Sequence, residues 1–454
     1  MVRSTGARAG SAVGHGTHAN RSPTMRVLIF THGTRGDVQP FAALAKALEA
    51  AGHEALLAAP QSSAALAAEH GVPFAPLDDG PLRMLEDRQL LGDVGGAGGG
   101  RGRLREAGAM LNIIRRAKAD MVRVLDDMAA AADLFVADVV VHGMGYPGHH
   151  IAEYLGVASV PAALQPFWVP TAAFPNPMLP VPVPRALNRA SHRFNTLVLR
   201  SYAGTEDDWR GRRLGLPRRP GRHRVLRRPD GSAAPLLQAF SRHLVPAPAD
   251  HPEWVHTTGH WFLPAPADWT PPERLTDFLA AGDPPVFAGF GSMPGSDPAG
   301  LGREVVAAVR SAGARAVLAT GWGGLAEAAE GEDVLVVREV PHDWLFPRVS
   351  AVVHAGGAGV AGAALAAGRP QIVCPFHREQ RFWAERVHAA GLGPEPLPAG
   401  RVTAAALAER IRRAAGNRET ARRTADLVRS EEGAAAAVPL IEAEAARGRA
   451  LGGA

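Results

Sequence analysis

Residues 354–370 read HAGGAGVAGAALAAGRP. The apolar Ala351, Val352 and Val353 lead into this stretch, and alanines at helical spacing lead out of it. A strand, a glycine turn and a helix start, in that order, aim bare backbone N–H groups at an anion. GAGVAG at 357–362 spells G-x-G-x-x-G, and Glu379 stands at about the spacing of a ribose-binding acid. The loop can hold a dinucleotide for hydride transfer, a nucleotide-sugar for glycosyl transfer, or nothing.

The hydride reading accounts for little beyond the glycines. The stretch from Gly359 to Arg369 is short for the helix of a dinucleotide unit, and Gln380 beside Glu379 stays unexplained. A lone G-x-G-x-x-G in a chain rich in Ala and Gly is a weak signal. No Gly-Lys-Ser/Thr follows, so the loop is not a Walker phosphate loop. Glycosyl transfer uses more of the residues. His354, at the end of the strand, can donate to a phosphate oxygen, and the amides of Gly357, Ala358 and Gly359 add to it. Glu379 and Gln380, past the next apolar run, suit sugar hydroxyls. Ser292 in GFGSM forms a second turn facing the same cleft, unless it only caps a helix. His354 has its own structural alternative as a satisfied core histidine.

The elements around these residues alternate. RVLIFTHG (26–33) reads as a buried strand, and DVQPFAALAKALEAAGH (37–53) as a helix whose start Asp37 marks as a cap. EALLAAP (54–60) and SAALAAEHG (63–71) repeat the pattern. A long amphipathic helix spans 106–132, followed by a strand over 133–143 and a helix over 148–156. Residues 163–184 carry many prolines with Phe167, Trp168 and Phe174, which suits a stiff aromatic wall of a cleft or a packed surface loop. After a Pro-rich linker at 243–272, strands at 284–293, 315–322 and 333–340 and a helix at 302–313 restart the alternation. Two parallel α/β halves with a cleft between them are implied. The glycine-rich 78–103 and the stretch 185–240 read as mobile loops.

Bulk numbers agree with this. At 454 residues the chain is too long for one ordinary core. Its 46% apolar and 20% charged residues are those of a globular protein, and no apolar run spans a membrane. The single cysteine, Cys374, excludes an internal disulfide and reads as a small buried hydrophobe. The cytoplasm is the expected compartment. Residues 1–24 lack a signal-type apolar segment and read as a disordered tail or an early start codon. The net charge of +5 is concentrated in WRGRRLGLPRRPGRHRVLRRPD (209–230). Breakers and the lack of interleaved aromatics argue against nucleic acid there. The segment reads as a solvated surface and a candidate for peripheral membrane contact.

HAGGAGVAGAALAAGRPQIVCPFHREQRFWAERVHAAGLG (354–393) resembles the donor-binding motif of nucleotide-sugar-dependent glycosyltransferases of the GT-B fold. Sterol glucosyltransferases and glycopeptide or macrolide antibiotic glycosyltransferases are the similar groups. VLIFTHGTRGDVQPFAALAKAL (27–48) resembles their N-terminal signature. FAGFGSM, EVPHDWLFPR (339–348) and LQPFWVPTAAFPNPMLP match in the expected order from Met25 to about residue 430.

The resemblance implies two Rossmann-like domains facing each other across a cleft. The acceptor domain would span 25–242 and the nucleotide-sugar domain 273–425, with 426–454 as a helix crossing back. It implies an inverting, metal-independent transfer from a UDP- or dTDP-sugar to an apolar acceptor, with no cofactor. Asp37 would be the base, Thr34 and Arg35 would lie near the phosphates, and the backbone of Val340 would meet the nucleobase. His142, Phe167, Trp168 and Phe174 would line the acceptor site. His32, His142 and Asp138 are alternatives for the base or its orienting partner. Two departures stand out. Val360 and Ala361 occupy the place of two threonines, and Arg378-Glu379-Gln380 the place of Gly-Asp-Gln, which points to a donor sugar other than glucose. A catalytically weak partner protein of another glycosyltransferase is the alternative function. An epimerase would need further carboxylates that have no place here. The sequence does not specify the acceptor or the oligomeric state.

Overall fold

A computed structural model describes residues 24–86, 100–179, 182–218, 221, 224–291, 297–320 and 331–452. The expected tail, Ser292 and the glycine-rich 87–99 lie outside the described residues.

The first half holds seven parallel strands in the order β3-β2-β1-β4-β5-β6-β7. These are β1 (Arg26–Phe30), β2 (Glu54–Pro60), β3 (Phe74–Leu77), β4 (Val139–Gly143), β5 (Ala158–Ala163), β6 (Leu236–Gln238) and β7 (Val255–Thr257). Val27, Leu28, Ile29 and Phe30 are all buried, as a central strand covered on both faces requires. Val27 and Ile29 face helix α1 (Arg35–Ala50), while Leu28 and Phe30 face α4 (Gly100–Leu134) and α5 (Gly148–Leu155). Between these come the short α2 (Ala64–Glu69) and α3 (Gly80–Glu86), and after β5 comes α6 (Arg193–Arg213).

The second half is a five-stranded parallel sheet, β10-β9-β8-β11-β12. Its strands are β8 (Val286–Gly289), β9 (Ala316–Ala319), β10 (Val334–Val337), β11 (Ala351–His354) and β12 (Gln371–Val373). Helices α7 (Glu273–Ala280), α8 (Pro298–Ser311), α9 (Ala358–Ala366), α10 (Arg378–Ala389), α11 (Ala404–Ala414) and α12 (Arg418–Arg429) cover it. Cys374 is fully buried in this half, and burial pushes its thiol up to about 12. The last helix, α13 (Ala434–Gly452), packs Ala437, Val438, Ile441 and Ala445 onto Val27, Ile29, Phe41 and Leu44 of the first half. Glu444 on it takes a bidentate pair from Arg228, both bonds at 2.7 Å.

Several expectations are corrected. Residues 255–257, inside the supposed linker, are the seventh strand of the first sheet, paired in parallel with β6. The supposed loop at 185–240 contains the long helix α6. Among the described residues of 209–230, four arginines are held in ion pairs and are not part of a free solvated run. Arg210 is fully buried on Glu153, Arg213 pairs with Asp133, Arg218 with Asp208 and Arg228 with Glu444. Among the described residues, no helix is long and apolar enough to cross a membrane.

Candidate active site

In each sheet the strand order reverses once, between β1 and β4 and between β8 and β11. Ligands of open parallel sheets bind beyond the carboxyl ends of the strands at that switch point. Asp37 follows β1, and the glycine loop follows β11.

Asp37 stands at the third position of α1, not at its cap. Thr34 is the cap residue. Its amide donates to Asp37 Oδ2 at 2.9 Å, and its hydroxyl lies 3.2 Å from the same oxygen. Thr31 Oγ1 donates to the Asp37 carbonyl at 3.0 Å. Gly33 has φ +142°, and a Cβ there would stand 2.3 Å from Asp37 Oδ2, so glycine is required. Both Thr34 contacts fall on Oδ2, and among the described residues no protein donor reaches Oδ1. Burial pushes the Asp37 carboxyl above the ordinary range, against the pull of the Thr34 bonds.

Glu379 reaches the same region from the opposite half. It sits in the first turn of α10. Burial first, and then the charge of Asp37, push its carboxyl up, while Trp383 and Gln165 oppose the shift. The charge of Asp37 in one half therefore acts on Glu379 in the other. Gln380 is committed locally, its Oε1 accepting from Phe376 N at 2.8 Å. Arg35 crosses the same gap, donating to Glu339 Oε2 at 3.0 Å beside Val340.

The glycine loop opens into α9, with Gly357 as the cap residue. Gly357 and Gly359 are exposed, and a Cβ on either would meet nothing within 4 Å. The first intrahelical bond is Ala361 N to Gly357 O, so the amides of Ala358, Gly359 and Val360 precede the ladder and, among the described residues, remain open donors. Val360 packs into the core beside Val352 and Ala364, and Ala361 is buried against α10. The departures at these two positions thus concern packing.

His354 is almost wholly buried. Gly356 N donates to its Nδ1 at 3.1 Å, which fixes the proton on Nε2, 3.0 Å from Gln371 Oε1. Gln371 Nε2 in turn donates to Ala361 O at 3.2 Å. Both ring nitrogens are used within the protein, so this histidine braces the loop and has no N–H left for a phosphate. Burial lowers its pKa to about 4.

The aromatic wall is placed differently from expectation. Phe167 and Phe174 are buried and meet Phe382 of α10 edge-on, with ring centroids at 5.5 and 5.2 Å. With Phe240 and Trp383 they form an apolar seam that joins the halves. Trp168 packs toward Met144 and Leu199 on the acceptor side. His142 is fully buried at the end of β4, its Nδ1 2.9 Å from Gly143 O. His32 sets Nε2 2.9 Å from Asp78 O and lies 4.7 Å from the Tyr146 ring. Asp138 is removed from the candidates for the base. It accepts from Arg26 N, at the opposite end of the sheet from the cleft.

Sequence reasoning missed Gln371, Gln165, Trp383 and Glu339. A polar residue heading the apolar run QIV was a readable signal for Gln371. The other three act through partners far away in the chain.

Residues 27–144 match the family model "Glycosyltransferase family 28 N-terminal domain", and residues 324–443 match "Erythromycin biosynthesis protein CIII-like, C-terminal domain". The chain is 34% identical over 383 residues to sterol 3-beta-glucosyltransferase UGT80A2 of Arabidopsis thaliana, covering 83% of this chain and 58% of the relative. The chain belongs to the GT-B glycosyltransferases. A sterol 3-beta-glucosyltransferase of Emericella nidulans is 32% identical, with 81% of this chain and 26% of that protein covered. The GT-B chain thus spans little more than half of the plant relative and about a quarter of the fungal one. The glycosyltransferase of kitacinnamycin superposes with a TM-score of 0.65 at 21% identity, over 93% of this chain and 99% of that one. VinC in complex with DTDP superposes at 0.62 and 19% identity, over 93% and 100%. These likenesses carry the GT-B fold.

Proposed function

We propose that the protein transfers a sugar from a UDP- or dTDP-linked donor, with inversion, to a hydroxyl of an apolar small molecule such as a sterol or a polyketide or macrolide natural product. The observation that carries the reading is Asp37, anchored through Oδ2, with Oδ1 open, facing Glu379 of the opposite half. Asp37 Oδ1 takes the acceptor's proton as its oxygen attacks the anomeric carbon, and the bond to the diphosphate oxygen breaks on the far side. The negative charge that develops there meets the open amides of Ala358, Gly359 and Val360 at the positive end of α9. A base raised above the ordinary carboxylate range is the better proton acceptor near neutrality. Glu379 binds sugar hydroxyls, and His354 holds the loop in shape. The relatives named as sterol glucosyltransferases and the solved antibiotic glycosyltransferases support both the reaction class and an apolar acceptor.

The donor sugar follows from α10. Glu379 is one methylene longer than the family's aspartate, and Arg378 is exposed at the helix start. We infer a sugar other than plain glucose. Arg378→Gly/Glu379→Asp should improve turnover of UDP-glucose, and equal turnover in both proteins contradicts this.

The test is product formation, followed by mass, with UDP- and dTDP-sugars against sterol and macrolide acceptors. Asp37→Asn should lower kcat about 10²–10⁴-fold, the usual contribution of a general base, and leave donor binding intact. Unchanged kcat in that variant would remove Asp37 from the chemistry.

A further inference from the structure

On α6, Arg193, Thr196, Leu197 and Arg200 recur on one face, with the spacing that puts side chains over one another. With Gly221 and Arg224 they line an open groove of about 460 Å³. The opposite face of the helix is buried through Glu206, Trp209 and Arg210. Among the described residues, Arg193, Arg200 and Arg224 have no carboxylate partner, unlike Arg189, Arg210, Arg213, Arg218 and Arg228, which all do. A large apolar side chain stands in water among them, Leu197 being 64% exposed.

We propose that this face docks on an anionic lipid surface. Unmatched guanidinium groups next to an exposed leucine form the pattern of an interfacial helix. The apolar tip enters the acyl boundary while the arginines reach the phosphate level. Among the described residues, the groove has no aromatic platform of the kind single-stranded nucleic acid stacks on. Of the three arginines, only Arg224 belongs to the arginine-rich 209–230 run, in which Arg210, Arg213, Arg218 and Arg228 are held in ion pairs. Arg193 and Arg200 sit on the first half of α6.

Docking here does not depend on the reaction proposed above. Its consequence for the acceptor does rest on that reading. Leu199, on the inward side of α6, packs with Trp168 against Met144, just past the carboxyl end of β4. A bilayer held by the outer face therefore lies one helix away from the acceptor side, where an apolar alcohol would enter.

The test is cosedimentation of the full chain with phosphatidylcholine vesicles, with and without a large fraction of phosphatidylglycerol. Binding should need the anionic lipid and fall as salt rises. Arg193→Gln/Arg200→Gln/Arg224→Gln should weaken partitioning about a hundredfold, since each basic residue near an anionic surface contributes about a factor of five. Leu197→Ser should weaken it about tenfold. Both variants should keep the wild-type melting temperature, which separates lost docking from lost folding. Equal binding to neutral vesicles, no binding to either, or wild-type binding by the triple variant would each overturn the proposal. Capture of an acidic polypeptide without vesicle binding would assign the groove to a protein partner and also overturn it. Absence of glycosyl transfer with intact vesicle binding would count against the reaction alone.

Discussion

The ring of His260 lies where a side chain on Gly362 would have to be. A Cβ built on Gly362 would stand 2.4 Å from His260 Cδ2 and 2.5 Å from Nε2. His260 belongs to the segment leading out of the first sheet, and its Nδ1 accepts from Ser241 N at 3.1 Å. The third glycine of G-x-G-x-x-G thus serves contact between the halves. Gly362→Ala should destabilise the protein by about 1–3 kcal/mol, the range for an overfilled core. Adding His260→Ala should recover part of the loss in denaturant midpoints. Strict additivity of the two changes would contradict the contact.

Buried histidines set an acid limit on stability. His260 and His354 are both lowered by burial from 6.5 to about 4. Between these values the unfolded chain binds protons that the folded chain refuses. Stability is therefore fully present above pH 6.5 and falls as pH drops toward 4, by on the order of 3 kcal/mol for each ring. Urea midpoints at pH 7.5 and 5 should show the fall, and His260→Gln should flatten it. A level profile across that window would be the contrary result.

Asp37 sets the acid limb of activity. Both carboxyls are raised, Asp37 by burial, and Glu379 by burial and then by the charge of Asp37. The rate kcat/KM should fall on acidification at a pH above the ordinary carboxylate range. Burial and not Glu379 raises Asp37, so Glu379→Gln should weaken donor binding and leave the limb in place. A limb that moves to lower pH in that variant would contradict this.

The halves are joined by apolar packing more than by charge. Arg35 and Glu339 are both over half exposed, and removing either should cost under about 1 kcal/mol. Phe382 contacts Phe167, Phe174 and Trp383, and Phe382→Ala should cost about 3–5 kcal/mol. Calorimetry should give a small shift for the first pair and a large one, or two separated transitions, for the second. Equal shifts would be inconsistent with the seam.

Much of the fold was legible because central parallel strands are continuous apolar runs, as in RVLIF and AVVH. Helix α6 was not, because its buried face carries Glu206, Trp209 and Arg210. Charges paired inside a core erase the apolar stripe that marks a helix. Strands β6 and β7 are only three residues each, set among prolines. In the site, the glycine turn and Asp37 could be read from local spacing. The commitment of His354 to Gln371, and of Phe167 and Phe174 to Phe382, depends on elements that meet only after folding. Residue type alone suggested a phosphate ligand and a cleft wall.

The most direct test of the central claim is a thermal-shift panel with UDP, dTDP, GDP, ADP and NAD on the wild type and on Gly359→Asp. At 100 times Kd a bound nucleotide stabilises by about 2.7 kcal/mol, a readable shift. Gly359 has open space around it, so the new carboxylate should leave the fold intact while repelling a diphosphate at the loop. The account predicts a shift with UDP or dTDP in the wild type and none in Gly359→Asp, with equal melting temperatures when no ligand is present. A shift with NAD alone, or a UDP or dTDP shift undiminished in Gly359→Asp, would contradict it.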